Sequence, residues 1–235
     1  MRYLVKFTHQ IKNNFLGTNV YDIAVRTKNF EKLARSIRED RAKDLSFIPA
    51  VRHGILNGEV CRRRYVTEKA ASKLFSSSNM NLFKYFVDGI TSMTYPCGLV
   101  VDPTASYLCC SPDAVVVESI NSVLSYGILE CKCVYAEPNA TWDHLITVRE
   151  HFCLERYEGR LRLRTDHPYF YQLITLLGIL DLQWIDICIM KGNDVHIQRF
   201  AHDDGIWSLV KQKLTNLYFQ FFLPEIALFL DWSVW

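Results

Sequence analysis

Two carboxylates and an ammonium stand among apolar residues in the stretch CCSPDAVVVESINSVLSYGILECKC, from Cys109 to Cys133. Asp113 follows an apolar run and a proline. Glu130 and Lys132 sit two apart inside GILECKC, which otherwise reads as a buried strand. Residues two apart on a strand share a face, so Glu130 and Lys132 point the same way. If the strands carrying Asp113 and Glu130 pair, the three groups converge. Two carboxylates can bind a hard divalent cation such as Mg²⁺. Such a cation lowers the pKa of its water and neutralises charge on a phosphate, and a neighbouring ammonium can position that water or stabilise developing charge. The arrangement suits phosphodiester hydrolysis. The competing reading is a buried Glu–Lys ion pair, with Asp113 capping a turn.

The elements that must position these groups are legible in the spacing. NFEKLARSIREDRAK carries Phe30, Leu33, Ala34 and Ile37 on one helical face. PAVRHGILNGEVCRRRYVTEKAASKLF reads as a long helix opened by Pro49, despite Gly54 and Gly58. SSSNMN, from Ser76 to Asn81, reads as a loop. GLVVDPTASYLCC, DAVVVESI and YGILECKCV then read as three neighbouring strands, and AEPNATWDH as a loop. PYFYQLITLLGILDL is helical from Pro168, QWIDICIMKGNDVHIQRF is a hairpin-like pair of strands around KGND, and a last helix runs from about Asp204 to Phe222. Asp203 and Asp204 suit its N-terminus. The order predicts an α/β fold: a mixed central β-sheet flanked by α-helices.

Size and composition fit one large domain over residues 1–235, with 49% hydrophobic residues. The expected parts are a helical region to residue 75, a sheet-and-helix region over 76–222 and an apolar tail over 223–235. The net charge of +2 neither demands nor excludes a polyanionic partner. Basic residues cluster from Arg26 to Arg64 and in RYEGRLRLR; such clusters are solvated faces or phosphate contacts. The eight cysteines show no C-x-x-C pair, so buried free thiols in a reducing compartment are expected. The N-terminus does not read as a secretory signal. Gln220, Pro224, Glu225 and Asp231 interrupt the apolar C-terminus, which falls short of a membrane span. An intracellular protein, nuclear or cytoplasmic and not secreted, is the expectation.

Pro112-Asp113 followed by Glu130-Cys131-Lys132 resembles the PD-(D/E)-x-K nuclease superfamily, whose fold is restriction-endonuclease-like. SPDAVV and GILECKCV are most similar to the branch of phage lambda exonuclease and the YqaJ-like viral recombinases. RHGILNGEVCRRRY, with Glu59, is similar to that branch's helical Gly-x-x-x-Glu pattern. HPYFYQL, with Gln172, is similar to its aromatic-rich helix ending in Gln. WIDICIM and FFLPEI continue the likeness, which covers roughly Asn29 to Ala227. Ala114 and Val134 stand where the branch has Gly and Pro.

The resemblance implies a role for each matched position. Asp113, Glu130 and the Cys131 carbonyl would be ligands of Mg²⁺ or Mn²⁺. Lys132 would orient or activate water. Glu59 would complete the metal site, and Gln172 would help position water or the metal shell. Arg52, Arg62 and Arg63 would contact phosphates beside the Glu59 helix. Lys28 would do so where family members carry a Thr-Ala-Ser segment for the 5′ end. The implied activity is metal-dependent DNA exonuclease, 5′-to-3′ on linear duplex DNA, in a ring-shaped homotrimer. A site- or structure-specific endonuclease and a catalytically weak DNA-binding module of the same fold are the alternatives. A further rival is an interaction protein docking through its apolar C-terminus. Asp102, in VDPTAS, either reaches the site or opens a turn.

Overall fold

The computed structural model describes residues 15–16, 20–40, 47–76, 92–120, 123–137 and 139–228. Most of the predicted 76–81 loop and the end of the apolar tail lie outside the described residues. A two-residue strand, β1 (Phe15–Leu16), precedes three helices, α1 (Val20–Val25), α2 (Phe30–Asp40) and α3 (Pro49–Ser76). Leu33, Ala34 and Ile37 of α2 are buried, as their spacing predicts. Pro49 occupies the first position of α3, where its missing N–H leaves no hydrogen bond unmade.

The central sheet is mixed. It comprises β2 (Ser92–Pro96), β5 (Ala114–Ile120), β6 (Val123–Cys133), β9 (Trp184–Lys191) and β10 (Asp194–Ala201) in the order β10-β9-β6-β5-β2. Strands β6 and β9 run parallel; the other neighbours are antiparallel. Every residue of β9 is buried, which fits an apolar strand covered on both faces.

Two readings need correction here. GLVVDPTASYLCC is not one strand beside DAVVVESI. It is a hairpin, β3 (Val100–Asp102) and β4 (Ala105–Cys110), in a separate small sheet with β1. Asp102 makes the turn: its Oδ1 accepts from Thr104 N at 2.8 Å and Thr104 Oγ1 at 2.7 Å, and its Oδ2 accepts from Lys211 Nζ at 2.9 Å. Asp102 is thus a buried turn-former. Its lysine partner and its turn bonds hold the carboxyl below its usual range despite burial. The second correction concerns β2, which the sequence reading did not anticipate.

The crossover from β6 to β9 carries α4 (Trp142–Val148), the hairpin β7 (Leu154–Tyr157) and β8 (Arg160–Leu163), and α5 (Pro168–Leu180). The end of AEPNATWDH is therefore helical, capped by Thr141, whose hydroxyl accepts from His144 N at 3.1 Å. RYEGRLRLR is a tight hairpin with both turn residues left-handed, Glu158 at φ 50° and Gly159 at φ 74°. Three of its four arginines are paired, Arg156 with Asp143, Arg162 with Glu155 and Arg164 with Asp166, each at 2.7 Å. After β10 comes α6 (Asp204–Leu217), capped by Asp203, whose carboxylate accepts from Ile206 N at 2.9 Å. The predicted last helix runs on through a π-turn at Tyr218–Phe222 into α7 (Leu223–Ala227). Among the described residues no helix is long and apolar enough to cross a membrane.

Helix α3 covers one face of the central sheet, packing Cys61 and Tyr65 on Ala114, Val116, Leu129 and Cys188. Helix α5 covers the other, packing Leu173, Ile174 and Leu177 with Ile128, Ile185 and Ile187. A buried ionic cluster clamps α3 to the sheet. Arg199 spans Asp186 at 2.7 Å and Glu118 at 2.9 Å, Lys69 reaches Asp186 at 3.0 Å, and the Tyr65 hydroxyl donates to Asp186 at 2.7 Å. Each buried charge has an opposite partner, as burial requires.

Glycines separate packed from open positions. A Cβ at Gly178 of α5 would lie 2.2 Å from the Trp207 ring, whereas one at Gly54 of α3 would meet nothing within 4 Å. Gly178→Ala is expected to destabilise the fold by about 1–3 kcal/mol in urea melts. Gly54→Ala should stabilise it by up to about 1 kcal/mol, since Ala is the better helix former. Equal effects at both positions would contradict this packing.

Candidate active site

The site forms where β5 begins and β6 ends. Ala114 and Leu129 are the last pair of the β5–β6 ladder, so Asp113 stands opposite Glu130 one step beyond it. The Cys131 amide N–H donates to Asp113 Oδ2 at 2.6 Å, which holds Asp113 against the strand. Glu130 and Lys132 share the α5 face, and Lys132 Nζ donates to Glu130 Oε1 at 2.7 Å. From α5, Gln172 Nε2 donates to the same oxygen at 2.7 Å. Asp113, Glu130, Cys131, Lys132 and Gln172 are thus brought together.

The two oxygens of Glu130 differ. The residue is only 4% exposed. Oε1 accepts two hydrogen bonds, whereas the buried Oε2 has no hydrogen bond of normal geometry among the described residues, and the Asp113 backbone N–H lies close enough to the carboxylate to favour its charge. A bare buried carboxylate oxygen is costly. A hard cation shared with Asp113 would satisfy it, so this donor chemistry fits a divalent metal.

Electrostatics follow from the same contacts. Burial pushes the Glu130 carboxyl above its usual range, the Asp113 charge adds to this, and the Lys132 charge opposes it. Burial also raises Asp113, against its bond from Cys131 and the charges of Lys132 and Arg62. Burial by itself would lower Lys132, but the Glu130 carboxylate outweighs it and holds the ammonium above its usual range. Lys132 is therefore charged at neutral pH. Its Nζ lies 4.8 Å from the centre of the Tyr169 ring, a cation–π contact. His167 packs edge-on against that ring, with centroids 4.5 Å apart, and burial pulls its imidazole down to about 4. At neutral pH it is an uncharged acceptor, and its Nδ1 takes the Tyr169 N–H at 3.1 Å.

Asp113, Lys132, His167 and Tyr169 line a cleft of about 790 Å³. Ala50, Gly54 and Gly58 of α3 form one wall, and Arg149 and His151 stand in the segment after α4. Val51 and Ile55 belong to the same α3 wall, and the glycines leave gaps between its side chains. A chain segment can approach such a helix backbone closely.

Glu59 is not brought into this group. Its side chain is 49% exposed and is bonded instead to Arg62 and, at 3.1 Å, to Arg63. Among the described residues no group of three or more His, Cys, Asp or Glu side chains is arranged to hold a metal ion, so the donor set here is two carboxylates. Arg62 is close enough for its charge to lower Asp113. Arg63, Arg52 and Lys28 are exposed: Arg63 pairs with Glu59, Arg52 lies on α3 next to the cleft-lining Val51, and Lys28 lies in the bend between α1 and α2. Sequence reasoning missed His167, Arg149 and His151. Tyr169 stands three residues before Gln172, which puts both on one face of α5.

In fold, the chain is similar to an alkaline exonuclease, LHK-Exo, from Laribacter hongkongensis, with TM-score 0.58 and 18% identity over 92% of this chain and 91% of that one. It is likewise similar to LHK-Exo in complex with dAMP, with TM-score 0.59 and 18% identity over the same shares of both chains. No family model and no curated protein matches the chain. At this identity the likeness establishes the fold: the mixed sheet with helices on both faces is that of nuclease structures.

The raised Asp113 carboxyl has a measurable consequence. A carboxyl raised in the folded state favours folding when protonated, and that contribution is lost as pH rises through its folded-state pKa. Asp113→Asn cannot ionise, and its amide oxygen can still accept the Cys131 N–H. In chelator, this variant is expected to melt higher than the parent at pH 7.5, with the difference vanishing below about pH 4, where the parent is protonated too. A variant less stable at pH 7.5 would contradict the assignment.

Proposed function

We propose that this chain is a divalent-metal-dependent deoxyribonuclease that hydrolyses phosphodiester bonds as an exonuclease, 5′-to-3′ on linear duplex DNA. The observation that carries the reading is the buried, bare Oε2 of Glu130 beside Asp113, with a charged lysine on the partner oxygen. The fold shared with an alkaline exonuclease supports it. Polarity and duplex preference rest on the sequence resemblance.

Asp113 and Glu130 Oε2 would hold the ion, with the carbonyl of Cys131, the residue after Glu130, as a further ligand. Mg²⁺ or Mn²⁺ there would lower the pKa of a bound water and neutralise charge on the phosphate. The chain's own residues do the rest. Gln172 and Lys132 both bond Oε1, which fixes the carboxylate's rotation and keeps Oε2 turned to the ion. Lys132 is a cation at neutral pH, so it stabilises charge developing on the phosphate and orients water rather than removing its proton. Tyr169 backs the ammonium and confines it to one position. The gaps at Gly54 and Gly58 in the α3 wall would admit the sugar-phosphate chain to the cleft, and Arg62 and Arg149 offer positive charge at its edge.

The test uses end-labelled linear duplex and covalently closed circular DNA with Mg²⁺ or Mn²⁺. The parent should degrade linear DNA and spare the circle. Lys132→Ala and Glu130→Ala should each lose at least about 100-fold in rate, as expected when a group stabilising developing charge is removed. Chelator should abolish cleavage in all forms. Cutting of the circle would turn the reading to an endonuclease, and undiminished cleavage by Lys132→Ala would refute the site.

A further inference from the structure

Four cysteines meet on the α3 face of the sheet, behind the carboxylates. Cys131 of β6 pairs with Cys188 of β9 across the parallel ladder, and Cys133 lies two residues on along β6, hence on the same face. Cys61 reaches them from α3, its Sγ 3.6 Å from that of Cys188. All four are free thiols. Cys61 and Cys188 are closed to solvent, whereas Cys131 and Cys133 are half-buried and line the cleft. The cluster thus has two thiols that a small solute can reach and, behind them, two buried thiols from other elements, Cys61 of α3 and Cys188 of β9. Among the described residues no group of three or more such side chains is placed to hold a metal ion, which leaves thiol chemistry as what this cluster can do.

We propose that the cluster is an oxidation site: a disulfide joins Cys61 of α3 to a cleft-lining thiol of β6, Cys131 or Cys133, and switches the adjoining site off. The second half rests on the nuclease reading. The oxidant is hydrogen peroxide. Its O–O bond breaks as the cleft-lining sulfur takes one oxygen, giving a sulfenic acid and one water. The Cys61 sulfur then attacks the sulfenic sulfur. The S–S bond forms, the S–O bond breaks, and the hydroxyl leaves with the Cys61 proton as a second water. Two thiols lose two electrons and two protons, and one peroxide becomes two waters. A dithiol reverses the change by exchange.

The coupling to the site is mechanical. A disulfide holds its sulfurs at about 2.05 Å, well inside thiol contact distance, so α3 and the end of β6 must move relative to each other. Cys131 lies between Glu130 and Lys132, and its N–H holds Asp113 Oδ2 at 2.6 Å. A shift of about an ångström there displaces a carboxylate, and rates are sensitive to that order of misplacement.

The experiment treats the full chain with hydrogen peroxide, blocks remaining thiols with N-ethylmaleimide, and maps linked peptides by mass spectrometry. Cleavage of linear DNA is read in parallel. Expected are a Cys61 link to the β6 peptide, a loss of at least about tenfold in cleavage, and recovery with dithiothreitol. Cys61→Ser should keep untreated cleavage, form no link and resist peroxide; Cys61→Ala serves as the second variant should the serine not fold. No α3–β6 link, a link confined to Cys61 and Cys188, or a link that leaves cleavage unchanged would overturn the proposal. The peptide map is read whether or not untreated protein cleaves DNA, so failure of the nuclease reading cannot hide failure of the disulfide.

Discussion

Glu130 carries its two carboxylate oxygens in opposite states, and the site is arranged around that asymmetry. Oε1 takes a charged and a neutral donor, from Lys132 and Gln172, while Oε2 is buried with none. A buried ion pair built for stability would satisfy both oxygens. Here one oxygen is left over, on a carboxylate whose neighbour across the strand pair is Asp113. The cost of that arrangement is borne by a rigid surround: β9 buried on both faces, α5 packed behind Gln172, and the Arg199 cluster fastening α3 across the sheet.

The chemistry divides among elements of different kinds. The strands supply the carboxylates and the lysine, because a ladder fixes side-chain positions closely. Helix α5 supplies the neutral donor and the aromatic backing of the lysine. Helix α3 supplies an open wall. Its two glycines weaken it as a helix and meet no neighbour, so packing does not account for them, whereas a cleft that admits a polymer backbone does.

Much of the site was legible because it depends on short-range geometry. The E-x-K spacing puts Glu130 and Lys132 on one face whatever the sheet order, and the strand pairing inferred from DAVVVESI and YGILECKCV is the one found. Gln172 was placed by resemblance and lies where that implied. Glu59 stands apart from the group for a local reason: Arg62 and Arg63, three and four residues on, are its natural helical partners. Asp102 opens a turn, as VDPT allows. The small β1-β4-β3 sheet was not legible, since nothing in VVDPTASYLCC says that the hairpin leaves the main sheet. The Arg199–Glu118–Asp186 cluster depends on the strand order that brings β10, β9 and β5 together, and the meeting of Cys61 with Cys131, Cys133 and Cys188 on how α3 lies across strands far away in sequence. Residue spacing carries no record of that.

The most direct measurement of the central claim is anomalous diffraction from crystals grown with Mn²⁺. An ion peak is predicted about 2.1 Å from Glu130 Oε2 and within coordination distance of Asp113, with Lys132 and Gln172 still on Oε1. A peak at Glu59 instead, or a Glu130 carboxylate turned so that both oxygens are hydrogen-bonded and no ion lies beside it, would contradict the account.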